Sequence, residues 1–337
     1  MTIKEIAKES GYGVGTVSRV LNHSPNVSDE AREAILAVIE KHHFEPNPNA
    51  KHLKLQTKFG IAIIVKGTQN MLFASILEKM QVCIERSGIA TLIYYIDQDA
   101  NEVDRALSVC KERNPYGIVF MGSNLEENGG VLKELEIPCQ IVTNSAASLN
   151  MKNVSSIAVD DTAAASCMID YLVARGHRNI GIIGGDPTLS RPSYLRLGGC
   201  QTSFFRHRIP FDPDSQYAYA RFSLEGGYRA TEELLQKDPD MTAIFAMSDI
   251  MAIGAIRALY DHGRRVPLDI SVTGYDGIEL SKYIHPTLTT VRQNADRLAT
   301  RGAEILIRCI REGTDAVHEV IPYELQEGTS VRTLSLP

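Results

Sequence analysis

From Phe59 onward the chain alternates short apolar runs of strand length with amphipathic helical stretches, and this alternation restricts its fold more than any other feature. Strand-like runs lie at 60–66, 92–96, 117–122, 140–144, 156–160, 179–185, 242–248 and 270–276. Helical periodicity appears near 71–87, 101–113, 161–176, 223–236, 248–262 and 294–312. Apolar strands interleaved with helices form parallel sheets that helices cover on both faces. Eight such units are too many for one comfortable doubly wound sheet, so the spacing predicts two similar α/β lobes. A chain of 337 residues has room for two domains of about 150 residues and a small third.

Residues 1–46 read differently, as short helices without a strand signal. Thr2 and Glu5 have capping-box spacing, and the helix they open carries Ile3, Ile6 and Ala7 on one face. Gly11-Tyr-Gly13 interrupts it. A second run, Val14 to Asn22, places Val17, Val20 and Leu21 at the i, i+3, i+4 spacing of a buried stripe. Ser28 caps a third helix with Ala31, Ile35, Val38 and Ile39 inward. Pro46 and Pro48 close the unit, because proline disfavours helical geometry in the residue before it. A polar linker with three lysines, 47–58, leads to the α/β body.

Composition excludes several classes. A hydrophobic share of 44% with 23% charged residues belongs to a soluble globular chain with material for a core. No apolar run approaches the roughly 20 residues of a membrane helix. The charged first ten residues lack the apolar stretch of a signal peptide, so a cytoplasmic location without a membrane partner is expected. The cysteines at 83, 110, 139, 167, 200 and 309 stand at least 27 residues apart. That spacing favours core residues over a metal site or a disulfide frame. The net charge of −6 argues against general coating of nucleic acid, yet residues 1–58 carry 8 Lys/Arg against 7 Asp/Glu. A near-neutral head on an acidic body is compatible with local DNA contact.

Two short helices joined by a glycine-containing turn suit DNA reading, because the second helix must project to enter the major groove. With Val17, Val20 and Leu21 buried, the second helix leaves Gly15, Thr16, Ser18, Arg19 and Asn22 outside. Arg19 can meet a guanine edge bidentately, and Thr16, Ser18 and Asn22 can hold phosphates. The alternative is a generic three-helix cap with a solvated polar face.

The motifs Thr2-Ile-Lys-Glu-Ile-Ala7 and Gly15-Thr-Val-Ser-Arg-Val-Leu-Asn22 resemble the head of the lactose/galactose repressor (LacI/GalR) family. The resemblance continues in order through Phe44-Glu-Pro-Asn47, Ala50-Lys-His-Leu53, Val159-Asp-Asp161 and Arg175-Gly-His-Arg178. It runs on through Arg196-Leu-Gly-Gly199, Ser248-Asp-Ile-Met-Ala-Ile-Gly254, Gly274-Tyr-Asp276 and Leu288-Thr-Thr-Val-Arg-Gln293. It implies a helix–turn–helix DNA-binding head (1–46), a hinge helix or linker (47–58) and a bilobed, periplasmic-binding-protein-like body of two doubly wound parallel-sheet lobes. The lobes are expected at 59–159 with 292–321, and at 160–291 with 322–337. The chain so read is a DNA-binding transcriptional regulator, in the first instance a repressor.

The same resemblance implies DNA contacts by Thr2, Val14, Thr16, Ser18, Arg19, Asn22, Asn47, Ala50 and Lys51, and a minor-groove wedge at Leu53. Lys51 stands where many relatives have arginine, which keeps the charge but gives up bidentate geometry. Gly13 occupies the usual serine cap position. Gly15 stands where relatives often present a base-reading side chain; it reads no base and costs the helix about 1 kcal/mol relative to alanine. Val14 can still touch a thymine methyl.

For the body, the resemblance implies a small-molecule effector between the lobes. Arg196 and Asp276 are expected to bond it, Gln293 to lie nearby on a crossover strand, and Phe222 to stack on it. Asn144, Ser248 and Asp249 match further cleft positions, and Phe73 and Ser190 looser ones. Asp276 and Arg196 as braces between lobes, and Phe222 as ordinary core, are the competing readings. Asn144 departs from the aspartate of many sugar-binding relatives. A carbohydrate effector is expected first, with a nucleobase or nucleoside, or a phosphorylated carrier protein acting as co-repressor, as alternatives. The stretch Asp97-Gln-Asp-Ala-Asn101 is faintly similar to carbon-catabolite regulators of the family.

Catalysis finds little support. There is no G-x-G-x-x-G, no P-loop, no G-x-S-x-G elbow and no H-E-x-x-H pair. No enzyme, cofactor or metal is expected. His177 reads as structural, and His42-His43 as a surface pair at a helix end. A bilobed solute-binding protein is the rival class, but it has no use for residues 1–53. The last residues carry no heptad repeat, so a homodimer on a pseudo-palindromic double-stranded operator is expected, not a coiled-coil tetramer. Arg19→Ala should cost about 1–3 kcal/mol of specific DNA affinity; anisotropy titration that finds no loss would remove Arg19 from base reading.

Overall fold

The structure, a computed structural model, describes residues 3–21, 27–42, 58–67, 70–123, 125 and 129–334. The chain separates into a unit built mainly from residues 1–58 and a larger one from Phe59 to the end.

The smaller unit holds α1 (Ile3–Ser10), α2 (Val14–Leu21) and α3 (Asp29–Lys41). Its core is Ile6, Ala7, Val17, Val20 and Ile35, the apolar stripes expected from their spacing. Gly11 has φ +78°, a left-handed conformation suited to glycine, and it turns α1 away from α2. The Ser28 side chain accepts from the Ala31 N–H at 3.4 Å and caps α3. Glu9 of α1 receives Lys41 at 2.8 Å and His42 at 3.0 Å from the end of α3. Those two bonds hold the Glu9 carboxyl below the usual carboxylate range.

In the larger unit the chain runs β1 (Ile61–Lys66), α4 (Met71–Arg86), β2 (Thr91–Ile96), α5 (Glu102–Arg113), β3 (Gly117–Met121), α6 (Gly129–Leu132), β4 (Cys139–Val142) and β5 (Val154–Ala158). It continues with α7 (Asp161–Ala174), β6 (Ile180–Gly184), α8 (Arg191–Arg206), α9 (Pro213–Gln216), β7 (Tyr217–Tyr219), α10 (Leu224–Lys237), β8 (Ala243–Ala246), α11 (Asp249–Asp261) and β9 (Ser271–Asp276). Then come β10 (Thr289–Gln293), α12 (Ala295–Glu312), β11 (His318–Val320) and β12 (Tyr323–Gln326).

Two six-stranded sheets result, ordered β11-β5-β4-β3-β1-β2 and β12-β10-β9-β8-β6-β7. All pairings are parallel except that of β12 with β10. Both lobes repeat the doubly wound order in which the chain reverses direction beside its first strand, β1 in one and β6 in the other. Along β1, Ile61, Ile63 and Val65 face one core while Ala62 and Ile64 face another. That is the period of a strand covered on both sides.

The structure departs from the sequence-based expectation at several elements, the short helices α6 and α9 among them. Helix α8 was not expected, because Pro192 and the Gly198-Gly199 pair obscure its pattern. Strands β7, β11 and β12 are short, with partly exposed residues, and carry little periodicity. Strand β5 begins at Val154 rather than 156. Finally, β10 stays with the second sheet to Gln293, so the return to the first lobe falls at Asn294 rather than 292. From there α12 packs beside α4 and over β4 and β5.

His177 is buried, its two ring nitrogens 3.0 Å from the Thr242 hydroxyl and 3.1 Å from the Arg332 carbonyl. Burial lowers its pKa, and its partners tie the strand region to the C-terminal segment. Cys139, Cys200 and Cys309 are buried and the other three half-buried, all as free thiols. Among the described residues no helix is long and apolar enough to cross a membrane.

Adjacent glycines in α8 differ sharply in their surroundings. A Cβ on Gly199 would collide with the Thr162 carbonyl of α7, whereas one on Gly198 meets open space. Gly199→Ala should therefore destabilise the body by about 1–3 kcal/mol through overpacking. Gly198→Ala should stabilise it by up to about 1 kcal/mol through helix propensity. Urea unfolding of the two variants, which should move in opposite directions, checks the pair.

Candidate functional site

A cleft of about 710 Å³ opens between the lobes, within the size range of small-molecule sites. It lies where parallel α/β sheets place their ligand sites, outside the carboxyl ends of the strands. Lys66 ends β1, Asp97 to Asp99 follow β2, Gly122 follows β3, and Thr143 and Asn144 follow β4. From the other lobe Gly185 and Asp186 follow β6, Tyr219 to Phe222 end and follow β7, Asp276 ends β9 and Gln293 ends β10. Two of these residues have positive φ without being glycine, Thr143 at +79° and Asp276 at +110°. Such strained backbone gathers at ligand sites.

The floor is a buried charge cluster. Arg196, on α8, donates from Nε to Asp161 at 2.8 Å and from Nη1 to the Met247 carbonyl at 2.5 Å. Its guanidinium lies 3.7 Å from the centroid of the Tyr275 ring, and the Tyr275 hydroxyl donates to Asp161 at 2.6 Å. Burial works against the Arg196 charge, but Asp161, Tyr275 and Asp276 outweigh it and raise the pKa above the ordinary range. Beside it, Asp276 accepts from the Gln293 side-chain amide at 2.9 Å. Burial pushes Asp276 up to about 7 against the pull of Arg196 and Gln293.

Seven of the nine residues expected at the cleft line it: Phe73, Asn144, Ser190, Arg196, Phe222, Asp276 and Gln293. Ser248 and Asp249 do not, and this corrects the sequence-based expectation. Ser248 caps α11, its hydroxyl accepting from the Met251 N–H at 3.3 Å. Asp249 is fully buried behind the wall, accepting from the Thr290 hydroxyl at 2.5 Å and the Ile278 N–H at 2.8 Å. Burial and the neighbouring Asp276 raise its pKa well above the usual range. Sequence reading missed Lys66, Asp186, Arg191, Tyr219, Arg221 and Glu225 on the wall. The positional rule for strand ends would have found Lys66 and Asp186. The 97–101 stretch supplies Asp97 and Asp99 at the mouth, where Arg221 of the other lobe reaches them at 2.8 and 3.1 Å.

Two polar atoms on residues of the wall lack a hydrogen-bond partner among the described residues, Oδ1 of Asn144 and Oε1 of Gln293. The Asn144 amide donates to the Ser123 carbonyl at 2.6 Å. Buried unpaired acceptors cost about 1–3 kcal/mol each and suit a ligand that brings donors. Among the described residues no group of three or more His, Cys, Asp or Glu could hold a metal ion.

The head presents a second candidate surface. On α2, Val17 and Val20 are buried while Val14, Gly15 and Arg19 are exposed and Thr16 and Ser18 half-buried. The Gly13 carbonyl accepts from the Thr16 and Val17 N–H groups at 2.9 and 3.1 Å, so backbone alone starts the helix. A Cβ on Gly15 would meet nothing within 4 Å. Thr2, Asn22, Asn47, Ala50, Lys51 and Leu53 lie outside the described residues.

Comparison with known proteins joins these two surfaces. The family model "Bacterial regulatory proteins, lacI family" matches residues 2–47, and that of a periplasmic binding protein-like domain matches residues 169–331. The chain is similar to the HTH-type transcriptional regulator MalR of Clostridium butyricum, 32% identical over 333 residues, covering 98% of this chain and 99% of that protein. Among solved structures it is similar to the transcriptional regulator CelR–cellobiose complex, with TM-score 0.70, 25% identity and coverage of 98% and 99%. It also shares the fold of the Lac repressor dimer bound to operator and the anti-inducer ONPF, with TM-score 0.70, 23% identity and the same coverage.

The Asp276 carboxyl makes stability depend on pH. Its ordinary value is 3.8 and its folded value about 7, so between those values the folded chain holds a proton that the unfolded chain has released. Stability should fall as pH rises from about 4 to about 7, by an amount on the order of a few kcal/mol. Asp276→Asn should flatten that slope, which thermal unfolding across the pH series would read.

Proposed function

This chain belongs to the lacI family of bacterial regulatory proteins, and we propose that it is a cytoplasmic transcriptional repressor whose head reads operator DNA and whose cleft takes a small-molecule effector. The observation that carries this reading is the end-to-end match to a named transcriptional regulator, beside an exposed face on α2 in the smaller unit and a polar cleft in the larger one. The family is one of DNA-binding regulators, not of enzymes.

A homodimer presents two heads to two half-sites of a pseudo-palindromic operator. On each half-site Arg19 addresses a guanine edge and Val14 a thymine methyl, while Thr16 and Ser18 serve phosphates. Leu53 acts as the minor-groove wedge, with Thr2, Asn22, Asn47, Ala50 and Lys51 as further contacts. In the cleft, Arg196, Asp276, Asn144 and Gln293 bond the effector, Phe73 and Phe222 supply apolar faces, and Ser190 lies at the rim. A carbohydrate is the effector this wall favours, supported by its acceptors and by the likeness to a regulator solved with cellobiose. Effector and DNA are coupled reciprocally: a ligand that weakens operator binding is itself bound less tightly by the operator-bound form.

Selection of sites from a randomised duplex library by the full chain tests the DNA reading; failure to enrich a two-fold symmetric sequence would overturn it. A thermal-shift screen then finds the effector, since a ligand at 100 times its Kd stabilises the fold by about 2.7 kcal/mol. With both in hand, Asp276→Ala should abolish the effector response and retain operator affinity. Leu53→Ala should weaken operator binding and leave effector affinity unchanged. An intact response in Asp276→Ala, read by anisotropy with and without effector, would reduce Asp276 to a structural brace.

A further inference from the structure

The cations of the cleft are already committed to the protein's own groups. Lys66 lies 2.6 Å from the buried Glu102, Arg196 lies 2.8 Å from Asp161, and Arg221 is held between Asp97 and Asp99. Arg191 lies over the Tyr194 ring at 5.3 Å. Two more wall carboxylates, Asp186 and Asp276, form no salt bridge with Lys or Arg among the described residues; Asp186 instead accepts from the Thr188 hydroxyl at 2.7 Å and its N–H at 2.8 Å. Those bonds hold Asp186 below the usual carboxylate range, so it is charged at neutral pH. Carboxylates thus outnumber cations in and directly behind the wall.

The helix N-termini around the cleft are partly used by the protein itself. Residues at the starts of α4, α8 and α10 belong to the wall, and unpaired N–H groups at such ends would bind phosphate or carboxylate. Each end carries a side-chain cap that takes one of those N–H groups. Asn70 accepts from the Leu72 N–H at 2.9 Å, Ser190 from Ser193 at 3.4 Å and Ser223 from Gly226 at 3.0 Å. Pro192 removes a further donor from the first turn of α8, and Glu225 adds a negative charge to the first turn of α10.

The hydrogen-bonding capacity left over is of the opposite kind. The Asn144 and Gln293 amides each donate to an acceptor of the protein, which leaves the carbonyl oxygen of each without a partner among the described residues. With the Asp276 carboxylate beside them, these oxygens call for a ligand that supplies donors, which the O–H groups of a carbohydrate do. On the reading that this cleft holds the effector, we infer that it selects a neutral, hydroxyl-rich ligand and rejects phosphorylated and carboxylate-bearing sugars.

Isothermal titration of the full chain at low salt tests this with matched probes: maltose, cellobiose, lactose and glucose beside maltose 6′-phosphate, cellobionate, lactobionate and glucose 6-phosphate. At least one neutral sugar should bind, with its anionic counterpart weaker by about tenfold or more, because like charges placed together in a site are strongly unfavourable. Asp186→Asn should narrow that gap by about threefold. An anionic probe that binds as tightly as its neutral counterpart overturns the inference, as does a panel in which no neutral sugar binds. A gap that Asp186→Asn leaves unmoved overturns its electrostatic basis. The duplex selection separates the two readings: enrichment of a symmetric site together with any of these failures overturns charge selection alone, whereas no enrichment overturns the regulator reading itself.

Discussion

The buried ion pair between Arg196 and Asp161 is the interaction on which the cleft floor depends. Desolvating two charges is costly, and the pair is sustained by further bonds, Arg196 Nη1 to the Met247 carbonyl and the Tyr275 hydroxyl to Asp161. These bonds tie α8, the start of α7, the end of β8 and strand β9 into one polar unit. The pair requires α7 and α8 to lie close, and Gly199, three residues beyond Arg196, provides the close approach. Packing at an inconspicuous glycine thereby sets where a guanidinium stands in the cleft.

From that floor the charge logic spreads outward. Asp276 is held beside Arg196 yet burial keeps its carboxyl easily protonated. Asp249, directly behind, adds a second carboxyl that burial raises further. Asp161 and Asp276 share the one buried arginine of the floor, and each helix end at the wall spends one N–H on its own cap. The head is organised on a different principle. Its small core of Ile6, Val17, Val20 and Ile35 and the Glu9 bridge to α3 hold α2 with its polar face outward.

Much of this was legible in the residues themselves. The head helices were recognisable because apolar spacing at i, i+3 and i+4 coincides with a cap at Ser28 and a break at Gly11. Seven cleft residues could be named because motif order carries over between related chains. Ser248 and Asp249 show the limit of that transfer. Their motif is present, but the Ser248 hydroxyl turns to cap α11 and the Asp249 carboxylate turns inward to Thr290 and Ile278. A motif records which residue is there, while its side-chain direction depends on partners distant in sequence.

By itself the sequence determined the division into an all-α head and an α/β body, the two doubly wound lobes and the exposed polar face of α2. Those follow from local periodicity, caps and breaks, which act over a few residues. Only the tertiary structure decided which charges meet. Arg221 finds Asp97 and Asp99 from the opposite lobe, Lys66 finds Glu102, and Arg196 finds Asp161, none of them near its partner in the chain. Electrostatics in a cleft is set by distance and burial, and both exist only once the strand ends of the two sheets have been brought face to face.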